Sequence, residues 1–117
     1  MAISVKKVGH VVLKVRDLER SVAFYRDVIG LKEVARGQFA AKMAFFSATG
    51  ENHHDLAVAE VGPDAPAAPP DAVGLYHVAL KIGDSLDELR AARTHLEAHG
   101  VTKVRVMDHR VSQPLSL

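Results

Sequence analysis

GHVVLKVRDLERSVAFYRDVIG, residues 9–30, decides the fold, because its opening returns as YHVALKI at residues 76–82. The copies stand 67 positions apart and match His10 with His77, Val11 with Val78, Leu13 with Leu80, Lys14 with Lys81 and Asp17 with Asp84. Gly30 matches Gly100 after a small insertion. Self-similarity at a fixed offset is the mark of a duplicated supersecondary unit. The histidine recurs at the same point of both copies. Two matched strands meeting across a pseudo-two-fold axis would bring both imidazoles towards one point, which is how a duplicated fold builds a symmetric metal site.

Residues 8–16 alternate as a strand, with Val11, Leu13 and Val15 on one face and His10, Val12 and Lys14 on the other. Asp17 stands at an N-cap position, and Leu18, Val22, Tyr25 and Ile29 follow at helical spacing up to Gly30, the natural helix stop. Extended segments are expected at 31–36, 40–48 and 53–61, with breaks at Gly37 and at Thr49-Gly50. The second copy repeats the pattern, with a strand over 75–82, Asp84 or Ser85 capping a helix that carries Leu86, Leu89 and Leu96, and a stop at Gly100. Extended segments are expected again at 101–107 and 111–117.

The fold class is therefore α+β: duplicated βαβββ units whose mixed sheet curls around a cavity. In each unit the branched apolar face packs beneath the unit's own helix and leaves the histidine face to line the cavity. The first unit has three extended segments after its helix and the second has two, so the second is expected to lack its last strand. One domain spans 1–117, made of unit one at 1–61, a connection at 62–73 and unit two at 74–117. The stretch VGPDAPAAPPDAVG around that connection holds four prolines, which suit neither helix nor central strand and read as a semi-rigid linker.

Bulk properties narrow the function. The 117 residues are 48% hydrophobic and 25% charged, with a net charge of +1 when histidines are neutral, so no basic or acidic face points to nucleic acid or a membrane surface. With no cysteine there is no disulfide, no thiolate metal site and no thiol nucleophile. No run is long and apolar enough for a signal peptide or a membrane span, and a soluble, cytoplasmic protein is expected.

Strand, helix and three strands, read twice with a histidine opening each unit, resembles the vicinal oxygen chelate superfamily of glyoxalase I, fosfomycin-resistance thiol transferases, bleomycin-binding proteins and extradiol catechol dioxygenases. DLERSVAFYRDVIGLKEV is similar to the superfamily's helix phrase through Asp17, Ser21, Phe24, Tyr25, Ile29 and Gly30. Three further stretches resemble the extradiol dioxygenases: NHHDLAV at 52–58, GLYHVAL at 74–80 and DHRVSQPLSL at 108–117. The resemblance implies that His10 and His77 ligate ferrous iron, that His54 assists dioxygen chemistry and that His109 touches the substrate. It also implies a third ligand, a glutamate on a following strand, which this sequence does not reach before Leu117.

The implied chemistry is coherent. Two histidines and a carboxylate on one face of an octahedron leave three positions for two catechol oxygens and dioxygen, which suits Fe(II), with Mn, Ni or Zn as other candidates. A neighbouring histidine can move a proton because its pKa lies near working pH. The expected partners are an aromatic diol and dioxygen, and a second copy of the chain covering the edge of the missing strand in a homodimer. With that strand missing, activity of the 117-residue form is in question.

Other readings stand beside this one. His53 can replace His54 as the inward residue, since strand neighbours face opposite sides. His95 and His99 are a four-residue helical pair that reads first as solvated surface. Glu60 is the acidic residue left as an internal substitute for the third ligand, because Asp55 and Asp108 are expected to oppose His54 and His109. A glyoxalase-like isomerase or thiol transferase would share His10 and His77, a non-catalytic binding relative would need neither, and a truncated relative would fold without activity.

Overall fold

The computed structural model describes residues 2–101, and the chain divides into two compact units between Ala67 and Ala68. The expected segment at 101–107 beyond Val101, the one at 111–117, and His109 lie outside the described residues. Among the described residues the architecture is mixed α+β, with one four-stranded sheet and two helices.

In the first unit the chain runs β1 (Val11–Val15), α1 (Leu18–Val22), a π-helical continuation (Ala23–Val28), β2 (Lys32–Gln38), β3 (Lys42–Ser47) and β4 (Leu56–Glu60). The sheet order is β1-β4-β3-β2, with β1 parallel to β4 and the other two pairings antiparallel. This is the expected strand, helix and three strands. The helix carries the chain over the sheet so that the first strand can lie parallel to the last, a pairing no tight hairpin permits.

Alternation in β1 decides which face meets the helix. Leu13 and Val15 pack on a cluster of Leu18, Val22, Ala44, Phe46 and Val58, together with Tyr25 and Leu31. Phe46 and Val58 are fully buried, and each such side chain contributes about 1.5–3 kcal/mol of burial. The branched face therefore lies under the helix, as the alternation requires.

Both ends of the helix are built as the sequence suggests, with one addition and one change. The Asp17 carboxylate accepts from the Arg20 amide at 3.0 Å, and Glu60 of β4 adds a second acceptor at the Leu18 amide, 2.8 Å away. The change is the wider π turn, in which the Ile29 amide donates to the Phe24 carbonyl at 2.9 Å. Gly30 follows with φ +92°, a left-handed conformation that costs glycine nothing.

The expected break at Gly37 is not there. Gly37 pairs with Met43 inside the β2–β3 ladder, and the reversal falls at Phe39–Ala41, where the Phe39 amide donates to the Ala41 carbonyl at 2.9 Å. A Cβ at Gly37 would stand 2.9 Å from the Phe39 ring, so the missing side chain leaves room for that ring to fold back on the strand and does not make a turn. The break at Thr49-Gly50 holds, with Gly50 at φ +84°.

In the second unit α2 spans Leu86–Ala98. Ser85, not Asp84, is its cap: the Ser85 hydroxyl accepts from the Glu88 amide at 3.2 Å, while the Glu88 carboxylate accepts from the Ser85 hydroxyl and the Asp84 amide. Asp84 pairs with Lys81 at 2.9 Å. At the other end the Val101 amide donates to the Leu96 carbonyl and the Gly100 amide to the Glu97 carbonyl, with Gly100 at φ +83°. This is the paired stop that places glycine just past a helix. Over 75–82 the strand reduces, among the described residues, to one ladder position at Ala79, with Val78 and Leu80 half-buried and His77, Ala79 and Lys81 exposed.

Candidate functional site

The face of the first unit's sheet opposite α1 is laid out by the ladder register. Val12 pairs with Ala57, which pairs with Phe45; Lys14 pairs with Ala59, which pairs with Met43. Two alanines on the inner strand thus run between larger side chains on either side. Ala57 is wholly buried and Ala59 half-buried beneath them.

At the start of β1 this face carries the histidines. His10 is exposed, one residue before β1, and its ring centroid lies 4.2 Å from that of His54. His54 is half-buried, with the edge of Phe45 5.0 Å away on another side. His53 is exposed, and its Nδ1 lies 2.7 Å from the Nδ1 of His54, so one ring donates and the other accepts. Of the two neighbours, His54 is the one held between β1 and β3. Partial burial first, and the nearby charges of His10 and His53 second, push the His54 pKa down, against a smaller upward pull from Asp55. The downward shift favours the neutral imidazole, whose lone pair can take a proton.

The turn that delivers His54 is held by Asp55. Its carboxylate accepts from the Ala48 amide at 2.8 Å and from the Asn52 side-chain amide at 2.7 Å, and its backbone bridges Phe46 and Val11. The Ala48 amide, then Asn52, holds the Asp55 pKa below the ordinary carboxylate value. Asp55 is thus a structural clamp. Glu60 is equally committed, to the α1 terminus on the opposite face, which removes it as the internal substitute for a third ligand.

His77 lies in the second unit, exposed, with its ring 5.4 Å from that of Tyr76. The His95 and His99 rings lie 4.4 Å apart and tilted at the end of α2, and His99 Nδ1 meets the His95 carbonyl at 2.8 Å. No three His, Cys, Asp or Glu side chains gather as a metal cluster among the described residues. Phe45 was not singled out from the sequence, yet strand alternation at Phe45-Phe46 requires one ring under the helix and one on the open face. No helix among the described residues is long and apolar enough to cross a membrane.

Residues 7–116 match the model of the Glyoxalase/Bleomycin resistance protein/Dioxygenase superfamily. The chain belongs to that superfamily. A superfamily relative, catechol-2,3-dioxygenase of Bacillus subtilis (strain 168), is 34% identical over 111 residues, covering 94% of this chain. The chain spans only 36% of that enzyme's length. The uncharacterised protein YaeR of Escherichia coli (strain K12) is 31% identical over 102 residues, 85% of this chain and 75% of YaeR. Among solved structures, a glyoxylase/bleomycin resistance protein/dioxygenase domain from Frankia sp. EAN1pec superposes with a TM-score of 0.69 at 24% identity, over 90% of this chain and 84% of that one. Fold and superfamily are thus shared along nearly the whole sequence.

Proposed function

We propose that this protein serves ferrous-iron-dependent extradiol cleavage of a catechol-like diol, with His10 and His77 as imidazole ligands, His54 as the proton-moving group and His109 as a contact to the diol. The observation that carries the reading is the 4.2 Å approach of His10 to a half-buried His54 on the open face. A metal-bound substrate at His10 would stand beside a base. Similarity to a catechol-2,3-dioxygenase supports the substrate class.

The donor set fits iron in part. The described residues offer imidazoles on the open face, whereas Asp55 and Glu60 are engaged in the turn and the helix terminus. Bound iron would supply the site where a diol and dioxygen meet. The chain's own work is separate: His54 takes or returns a diol proton, Phe45 and Val12 flank the ring and exclude water, and Asp55 keeps His54 in place. Assembly as a homodimer belongs to the same proposal, because β1 and β2 are the outer strands of the first unit's sheet and such edges invite a second chain.

Anaerobic titration with ferrous iron, followed by admission of dioxygen with a panel of catechols, tests the reading. His10→Ala should abolish stoichiometric iron uptake. His54→Asn should keep the iron and lower ring cleavage by roughly 10²-fold or more, the usual worth of general acid–base catalysis. Unchanged iron uptake in His10→Ala would remove the metal site from this histidine. Stoichiometric nickel or zinc in preference to iron would favour isomerase chemistry instead.

A further inference from the structure

α2 ends in two histidines that the diol reading does not use. His95 and His99 stand four residues apart, which places them one above the other on the helix surface. Both are exposed, and their ring centroids lie 4.4 Å apart with the planes tilted by 50°. Two imidazoles on neighbouring positions of one ion, each bound at about 2.0 Å, have centroids about 4.5 Å apart. The pair already stands at that separation. A tetrahedral ion would open it to about 5 Å.

A hydrogen bond fixes which nitrogen His99 offers. Its Nδ1 lies 2.8 Å from the His95 carbonyl oxygen. A carbonyl only accepts, so in the neutral ring Nδ1 carries the hydrogen and Nε2 keeps the lone pair. A bond from the second ring nitrogen to a backbone carbonyl is what sets the tautomer and orientation of metal-binding histidines. The acceptor belongs to His95, so one contact ties the first imidazole to the residue bearing the other. The helix surface around them leaves room. Ala91 and Ala92 lie one turn before His95 and Ala98 one turn after it, and none has an atom beyond Cβ. Glu97 is turned to Arg93, 3.5 Å away. The C-terminal end of a helix also carries partial negative charge, which favours a cation.

We infer that His95 and His99 form a two-imidazole site for a late divalent transition metal, with Cu(II) the ion it holds most tightly. Imidazole suits such ions, and at a given nitrogen site affinity rises to copper and falls again at zinc. A separation matched to neighbouring positions of a square or octahedral ion also favours Cu(II) and Ni(II) over tetrahedral Zn(II). Solvent water completes the coordination. The site is built from α2 alone and stands apart from the iron reading and from the histidines of the first unit.

The test is titration of the full chain with Cu(II) iminodiacetate, whose chelator leaves neighbouring positions open for two imidazoles. The parent should take up an equivalent of copper that His95→Ala holds roughly tenfold or more weakly, because the second imidazole acts at the high effective concentration set by the first. His95→Ala decides the matter. It removes an exposed side chain, installs the best helix former and leaves the His99 bond to the backbone carbonyl at position 95 in place, and circular dichroism checks the fold. His99→Ala should weaken the same equivalent. Pulsed electron paramagnetic resonance of the bound copper should show two imidazole nitrogens, and the Ni(II) and Zn(II) complexes should bind more weakly than copper. Uptake that persists unchanged in His95→Ala overturns the inference. So does uptake lost instead in His53→Ala, whose ring meets His54 in the first unit, or copper coupled to a single imidazole nitrogen.

Discussion

Removing the Glu60 carboxylate separates structure from metal chemistry at one residue. Glu60 Oε2 accepts the Leu18 amide at 2.8 Å in a partly buried setting, at a helix terminus whose first amides have no partner within the helix. A hydrogen bond to a charged group contributes about 1.5–3 kcal/mol, and the helix dipole adds about 0.3–1 kcal/mol. Asp17 still caps the Arg20 amide in the variant, so part of the terminus stays satisfied. Glu60→Ala should therefore cost about 1–3 kcal/mol, or on the order of 5–15 °C in Tm for a chain of this size. Glu60→Gln keeps an acceptor and loses the charge, so its cost should stay near 1 kcal/mol or below. Chemical denaturation followed by circular dichroism measures both, and iron titration of the folded variants supplies the second readout. Iron affinity should be unchanged in each. A Glu60→Ala protein as stable as the parent would refute the capping argument, and a Glu60→Gln protein that folds normally yet loses iron would restore Glu60 as a ligand.

Gly100→Ala should cost about 1 kcal/mol, because φ +83° burdens any residue with a Cβ, and denaturant midpoints will show it. Asp55→Ala should loosen the turn that delivers His54, seen as faster amide exchange at Ala48. For the parent the sign at Asp55 is fixed: its folded pKa is depressed by the Ala48 amide, so its stabilisation is present above the unfolded carboxylate value and is lost as pH falls through the folded one. Acid titration of Asp55→Ala should therefore show a shallower loss of stability in that window than the parent. Phe46→Ala empties a fully buried site in contact with the α1 cluster and should cost about 3–5 kcal/mol by denaturant titration.

The first unit was legible because two periods speak at once. Val11, Leu13 and Val15 at period two, then Leu18 and Val22 at helical spacing, name one buried surface from both sides. The helix stops at Gly30 and Gly100 were legible for the same local reason, since positive φ is a property of one residue. Gly37 misled because the sequence shows only that a side chain is missing. Whether the space serves a turn or the ring of Phe39 depends on packing two residues on. The π turn over Ala23–Val28 shifts the ladder by one residue while leaving the apolar spacing nearly intact, so periodicity did not reveal it. Glu60 at Leu18 is a contact across 42 residues, beyond any local pattern. At the site, His10 and His54 were each legible as candidates, but their meeting follows from β1 lying parallel to β4, which starts their strands at the same end of the sheet.

That parallel pairing also sorts the charges of the first unit. On the helix side Glu33 takes Arg36 and Arg26, Glu19 takes Arg36, and Glu60 takes the Leu18 amide, while Asp55 is spent in the turn. The β1–β4–β3 rows of the other face hold imidazole, small apolar side chains, Phe45, Met43 and one ammonium, and no carboxylate among the described residues. A face of this composition repels a proton from His54 and favours anions. It offers a metal nitrogen ligands while leaving most of the ion's positive charge unbalanced. A metal bound there would in turn favour an anionic ligand, one that brings the negative charge the face does not supply.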